Sequence, residues 1–395
     1  MANDKHRPVL VVGAGPVGLV AALACKHYGL NATILEAEHE GRQRPGSRAI
    51  YIHKATLEFL EQICPGLGLK MAEYGVVWPM KRTFFHGKEV YRKEYELYKF
   101  DNKTLPPFTS LPQDVFERIA FEACQEAGVE IFWSTPVKEV KTSETGVEVH
   151  IENGDVWTCE YLVAADGSRS TVRKTVGIEM EGTRSRNAFI VVDVAEDEID
   201  PLPLERVFHY YHPNVDERHV LLVPFKGGWR IDLQLYEDDD LEEFGTEEGV
   251  RKWLPKVMPA KYADRITWVS TYQFLQVVAK TYTDEHARIV LTGEAAHLFA
   301  PFGARGLNSG VPDANAAVKA FKEALEAPDR EKAKEIVRHY ADQRLQAGRW
   351  NRDAAGIALN HVLGKSEEWQ KFAKWLDDAP YGPKTGPVEI VGTKY

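Results

Sequence analysis

Gly13, Gly15 and Gly18 stand in the spacing G-x-G-x-x-G, within Gly13-Ala14-Gly15-Pro16-Val17-Gly18. Glu36 follows at about 20 residues, the distance at which a dinucleotide-binding unit places its acid. The first glycine permits a sharp turn. The second lets the backbone approach a pyrophosphate, and the third lets a helix pack closely on a strand. Pro16 and Val17 would open that helix, whose free N–H groups and dipole favour an anion. Glu36 can accept hydrogen bonds from a ribose diol. The unit does not separate FAD from NAD, because both carry an ADP half.

Two later segments carry further chemistry. One is A-A-D-G-S-R-S-T-V-R, Ala164 to Arg173; the other is G-E-A-A-H-L-F-A-P-F-G-A-R-G-L-N-S-G, Gly293 to Gly310. Each follows an apolar run that reads as a strand, so Asp166 and Glu294 stand at strand ends. Open α/β sheets bind their ligands there. Asp166 and Arg173 can also form an internal salt bridge that pins a loop.

The elements needed to position these groups are legible in the patterning. Pro8 to Val12 reads as a buried parallel strand, a helix follows to about Tyr28, and Asn31 to Leu35 reads as a second strand. Leu111 to Gly128 reads as a helix. From about Met180 to Tyr236 the pattern is mostly strand, which predicts a separate antiparallel sheet. Helices are expected from beyond Asn308 to about Leu363, with a Pro/Gly-rich tail after them.

With these motifs in this order, the chain resembles the single-component FAD-dependent aromatic hydroxylases, the para-hydroxybenzoate hydroxylase-like class A flavoprotein monooxygenases. The resemblance covers about residues 8 to 350. It implies an α/β fold: a Rossmann-like FAD-binding domain with an inserted antiparallel β-sheet substrate domain and C-terminal helices. Residues 1–72, 108–180 and 285–365 would form the discontinuous FAD domain. Residues 73–107 and 181–284 would form the substrate domain, and 366–395 the tail. Gly13, Gly15 and Gly18 would cradle the FAD pyrophosphate and Glu36 its adenosine ribose. Arg48 in S-R-A looks like the family arginine near the pyrophosphate, and Gln113 in L-P-Q-D-V-F-E like the glutamine that touches the cofactor. Glu294 stands where the family has Asp, on the ribitol–phosphate region. Pro301 looks like the loop proline at the ring face, and Leu307 and Asn308 like residues beside the ring. Asp166 and Arg173 belong to the Asp-Gly motif associated with FAD and NAD(P)H.

The implied reaction uses NADH or NADPH and O2 to insert one oxygen atom into a phenolic or N-heteroaromatic substrate, through a flavin C4a-hydroperoxide. The cofactor carries the hard step. Gly306-Leu307-Asn308-Ser309, read as lying just ahead of a helix, would set free N–H groups against the anionic edge of reduced flavin, with Arg305 adding positive charge. His209 aligns loosely with a pocket tyrosine of the family and could take a phenol proton. Strand alternation puts Val207, His209 and Tyr211 on one face and Phe208, Tyr210 and His212 on the other. In Gly227 to Leu235, Arg230, Asp232 and Gln234 share one face, expected to be solvated. Trp229, Ile231 and Leu233 share the other, expected to line the pocket.

Composition narrows the alternatives. The 395 residues carry a formal net charge of −10, which argues against broad nucleic-acid or anionic-membrane binding. No apolar run reaches the ~18 residues of a membrane span. Cys25, Cys64, Cys124 and Cys159 lie far apart, which predicts reduced thiols and a cytoplasmic protein without a zinc knuckle. No metal site is expected, since His209 and His212 would point to opposite faces of a strand. A flavin reductase or dehydrogenase of the same fold, or a non-catalytic flavin-binding electron-transfer protein, are the competing readings.

Overall fold

The computed structural model describes residues 5–96, 98–367 and 369–371, so most of the predicted tail lies outside the described residues. Seventeen strands, β1 to β17, and nine α-helices, α1 to α9, are found among them.

The N-terminal half supplies β1 (His6–Val12), β2 (Thr33–Leu35), β3 (Tyr51–His53), β4 (Met80–Phe85), β5 (Lys88–Glu94) and β6 (Phe108–Ser110). Then come β7 (Glu130–Phe132), β8 (Val137–Ser143), β9 (Gly146–Ile151) and β10 (Val156–Ala164). The second half supplies β11 (Met180–Ala195), β12 (Glu205–His212), β13 (Arg218–Phe225), β14 (Gly228–Gln234), β15 (Ile266–Ala279), β16 (Ile289–Leu291) and β17 (His297–Leu298). The helices are α1 (Pro16–His27), α2 (Lys54–Ile63), α3 (Leu67–Tyr74), α4 (Gln113–Glu126) and α5 (Thr171–Thr175). They continue with α6 (Leu241–Gly245), α7 (Glu247–Trp253), α8 (Arg305–Leu325) and α9 (Arg330–Val362).

Seven strands form the first sheet, in the order β7-β2-β1-β10-β9-β8 with β16 on β10. The strands β7, β2, β1, β10 and β16 run parallel. The continuous apolar run of β1 is explained by burial on both faces. Val9 and Val11 pack beneath α1, α4 and α8, whereas Leu10 and Val12 enter a second core with β8, β9 and α9. At the C-terminal end of β1, Gly13 has φ +99, and a Cβ there would lie 2.4 Å from the Ala165 carbonyl oxygen. Only glycine lets that turn touch the end of β10.

The second sheet has eight strands, ordered β17-β15-β11-β14-β13-β12-β4-β5. It is antiparallel except where β12 runs parallel to β4. The strand β17, from the late motif, pairs with β15 and so extends this sheet, and the β region opens on a single 16-residue element, β11. One face of the sheet packs its own core with α7 and the short helical turns after it. The other turns toward the first sheet.

Candidate active site

A cavity of 1590 Å³ lies between the two sheets. Pockets for a single drug-sized ligand run to ~300–1,000 Å³, so this one has room for more than one such ligand. It opens with the glycine turn. The N-cap of α1 is Gly15, with no side-chain cap, and Pro16 stands in the first turn. The first N–H groups of α1 therefore have no side-chain acceptor. Gly13, Gly15, Pro16 and Val17 line the cavity. Gly18 sits below, where a Cβ would fall 1.9 Å from the Gly13 carbonyl oxygen.

Glu36 closes β2 and is buried. Its carboxylate accepts from the Ala14 N–H and, at 2.9 Å, from the Glu38 N–H. It therefore holds the glycine turn in place while lining the cavity, with roughly two of its four acceptor sites left over. Arg48 and Gln113 line the same wall. Gln113 begins α4, where its N–H bonds the Ser47 carbonyl at 2.9 Å. Arg44, which no sequence motif marks, also reaches the cavity, with Nη1 3.8 Å from the Cβ position of Gly15.

At the far end Asp166 accepts from Ser170 Oγ at 2.6 Å and from the Val172 N–H at 3.0 Å. Burial pushes its carboxyl above the usual range. Arg173 does not ion-pair with it. The guanidinium donates instead to the Ala295 and Ser168 carbonyls, at 3.0 and 3.4 Å, and so clamps the two late motifs together. Glu294 is exposed to the open cavity, and the desolvation it still meets there raises its carboxyl above the usual range as well.

Pro301, Gly306 and Leu307 line the cavity. The helix starts earlier than the sequence indicated. Because α8 begins at Arg305, Gly306 to Ser309 form its first turn rather than a lead-in. Ala304 is the N-cap, at φ +53 and without a side-chain cap, so a second uncapped helix N-terminus faces the same space. Arg305 is wholly buried, donating to Asn351 Oδ1 at 3.1 Å, with Trp350 beneath it. Together with burial, it lowers the pKa of His53 on the cavity wall to about 4.

Asn308 departs from expectation. Its Oδ1 accepts from Thr56 Oγ1 and the His53 N–H at 2.6 and 3.0 Å; its Nδ2 donates to the Tyr51 and Ala304 carbonyls at 2.8 and 2.7 Å. All four hydrogen-bonding sites of the amide are used. The side chain anchors α8 to β3 and α2 instead of facing the cavity. His297 has a related role, missed from the sequence although it closes the G-E-A-A-H motif. Its Nε2 lies 2.7 Å from Asp313 Oδ2, and Arg344 Nε lies 2.7 Å from Oδ1. Burial pushes the Asp313 carboxyl up, but Arg344 and His297 hold it below the carboxylate range.

The sheet side requires two corrections. On β12 it is Arg206, Phe208 and Tyr210 that line the cavity. His209 lies on the other face, stacked on Phe84 with centroids 4.5 Å apart, and burial lowers its pKa to about 3. It is not placed to deprotonate anything in the cavity. A bulge then breaks the alternation: pairing jumps from His209 to His212, with Tyr211 at φ +51. The His209 and His212 rings meet at 4.7 Å instead of pointing apart. No group of three metal-ligating side chains occurs among the described residues. On β14 the polar face lines the cavity through Arg230 and Asp232. Their side chains pair at 2.7 and 3.2 Å. Trp229, Ile231 and Leu233 pack into the core against α7 instead. Arg230 also bonds the Arg48 carbonyl, and Asp193 accepts from Ser47 Oγ at 2.8 Å. These bonds lock the arginine-bearing loop to the sheet.

Two uncapped helix N-termini, cavity-facing arginines and strand-end carboxylates on one cavity suit a ligand with a diphosphate, sugar hydroxyls and an electron-rich ring. The comparisons agree with this chemistry. Residues 6–354 match the family described as FAD binding domain. The chain belongs to that family. Its cofactor is FAD, and it is an oxidoreductase of the para-hydroxybenzoate hydroxylase-like flavoprotein group. It is 27% identical over 314 residues to the para-nitrophenol 4-monooxygenase of Pseudomonas sp. strain WBC-3, covering 78% of this chain and 75% of that protein. It is 26% identical over 334 residues to 6-hydroxy-3-succinoylpyridine 3-monooxygenase HspB of Pseudomonas putida strain S16, covering 80% and 79%. The fold is similar to that of the flavin-dependent monooxygenase PieE, solved with FAD and substrate. The TM-score there is 0.75 at 24% identity, over 98% of this chain and 68% of that one. Other curated relatives of this FAD-binding family are longer, and the chain spans as little as 53% of their length.

Proposed function

We propose that the protein is an NAD(P)H-dependent FAD monooxygenase that inserts one oxygen atom of O2 into a phenolic or N-heteroaromatic substrate. The supporting observation is the continuity of one cavity from the glycine turn to an aromatic-walled face of the second sheet. Bound FAD would supply hydride acceptance and oxygen activation.

The chain's own residues would bind, orient and keep the site dry. The first turn of α1 and the Gly13–Gly18 backbone would hold the diphosphate, with Arg44 and Arg48 balancing its charge. Glu36 would take the adenosine ribose, with Gln113 beside it, and Asp166 and Glu294 the ribityl hydroxyls. Pro301, Gly306 and Leu307 would face the ring, where the N-terminus of α8 favours negative charge. Asn308 would act by fixing that helix. Tyr51, Trp78, Phe189, Tyr272 and Phe302 line the rest of the cavity and would exclude water from the reacting centre.

The test is turnover of the purified holoenzyme with NADH or NADPH and a panel of phenols and hydroxypyridines under 18O-labelled O2. One labelled oxygen atom per hydroxylated product is expected. NAD(P)H oxidation that yields only hydrogen peroxide or a reduced organic product, across the panel, would overturn the proposal in favour of a reductase.

A further inference from the structure

A second cavity, of 330 Å³, lies apart from the site described above. Tyr211, His219, Gln234, Tyr236 and Leu363 line it, and none of them lines the larger cavity. It sits on the same face of the second sheet, one step further along the strands. Leu221 on β13 and Asp232 on β14 stand opposite each other in register and line the larger cavity; two residues on, His219 and Gln234 line the smaller one. The partition is aromatic. Tyr210 and His361, on the wall of the larger cavity, pack against the Trp369 ring with centroids 4.5 and 5.5 Å away, and His219 lies 6.4 Å from the same ring.

The floor of the smaller cavity presents hydrogen-bond donors. His219 is 2% exposed and Gln234 7%. The Tyr211 N–H donates to His219 Nδ1 at 3.1 Å, so the neutral ring carries its proton on Nε2. Burial, with His361 and His86 nearby, lowers the His219 pKa to about 3, so the ring is uncharged near neutral pH. Gln234 Oε1 accepts from the His219 N–H at 3.2 Å, which leaves the amide nitrogen as its free end. No described residue accepts from Nε2 of either side chain. A buried donor without an acceptor is costly, so two of them on one cavity floor call for an acceptor from outside the chain.

We propose that this cavity is a second ligand site, separate from the oxygenation site, for a small planar molecule that presents a neutral carbonyl oxygen to His219 and Gln234. The site goes beyond the monooxygenase reading and does not depend on it. Two uncharged donors suit a carbonyl better than a carboxylate, whose burial needs a charged partner. The mouth offers none: Glu217 and Glu237 are exposed there, and Lys365 lies 3.6 Å from Glu237. Tyr211, Tyr236 and Leu363 give the body of the ligand a largely aromatic wall. Ligand pockets run from ~300 to 1,000 Å³, so this volume suits a single ring.

The experiment is a calorimetric titration of the FAD holoenzyme with benzamide, benzylamine and benzoate, in wild type, Leu363→Trp and Gln234→Leu. Leu363→Trp fills the cavity from a half-buried position on its wall and leaves the donors in place. Gln234→Leu keeps the volume and removes the amide donor. Wild type should bind benzamide with a component that Leu363→Trp lacks, and Gln234→Leu should weaken that component by roughly 2- to 10-fold. Benzylamine, which has no acceptor, and benzoate, which is an anion, should both be weaker in the same component. Benzamide binding unchanged in Leu363→Trp would assign it to the larger cavity and overturn the proposal. Full affinity in Gln234→Leu, or benzylamine or benzoate matching benzamide, would overturn it too. Retained flavin shows that the variants fold. Should Leu363→Trp lose its flavin, a crystal of the wild-type holoenzyme soaked in benzamide decides by position: the carbonyl oxygen is expected within hydrogen-bonding reach of His219 Nε2, and water alone in this cavity would overturn the proposal.

Discussion

Gly15→Ala separates cofactor binding from folding more cleanly than any other change in the cradle. Gly15 has φ −72 and ψ −179, a conformation open to any residue, and a Cβ there would meet nothing nearer than Arg44 Nη1 at 3.8 Å. The added methyl therefore enters empty cavity at the uncapped start of α1. Replacing an N-cap glycine by alanine should reduce stability by about 1 kcal/mol or less. The same methyl occupies the position of closest approach to a diphosphate. Losing one charge-assisted hydrogen bond there amounts to about 1.5–3 kcal/mol, or roughly 10- to 150-fold in affinity. The assay pairs a fluorescence titration of the deflavinated protein with FAD and urea unfolding without FAD. Gly18→Ala is the contrast, since its Cβ would fall 1.9 Å from backbone and must push α1 away, lowering stability and FAD affinity together. Wild-type FAD affinity in Gly15→Ala would refute the placement of the diphosphate on this turn.

Three further outcomes follow from the site geometry. His209→Phe should keep product formation coupled to NAD(P)H oxidation, because His209 stacks on Phe84 away from the cavity; loss of coupling would return it to the reaction. With a folded pKa of about 3 against 6.5 unfolded, His209 makes the wild type lose stability as pH falls below about 6.5. The variant should lack that component, a difference growing by about 1.4 kcal/mol per pH unit in denaturant titrations from pH 6 to 4. Asn308→Ala strands four hydrogen-bonding partners and should lower unfolding free energy by about 3–5 kcal/mol in urea titrations, with flavin retention falling as α8 loosens. Asp232→Ala leaves the buried Arg230 without its carboxylate and should destabilise by about 3–5 kcal/mol, with Asp232→Asn milder, as read by thermal melting.

The nucleotide end of the molecule is legible because its constraints are local. A strand, three glycines at fixed offsets and an acid after the next strand define one turn, and that turn is where the structure places them. The sheet side is not local. On β14 the apolar set Trp229, Ile231 and Leu233 is drawn to a core built by α7 and its neighbours, residues 247 to 262, which nothing in the strand itself announces. The polar set is then left for the cavity, where Arg230 and Asp232 satisfy each other. On β12 alternation assigns His209 correctly relative to Phe208, but it cannot say which face meets the cavity or foresee the bulge at Tyr211. Asn308 is misplaced for a similar reason, because its four partners come from β3, α2 and its own helix.

We propose that a single cavity holds FAD from the Gly13–Gly18 turn to the N-terminus of α8, with the substrate face of the second sheet beside the ring. A crystal structure of the FAD complex tests it directly. The diphosphate is expected over the first turn of α1 and the isoalloxazine between the Pro301–Leu307 segment and the face bearing Arg230 and Asp232. A diphosphate bound away from Gly13–Gly18, or a ring lying outside this cavity, would contradict it.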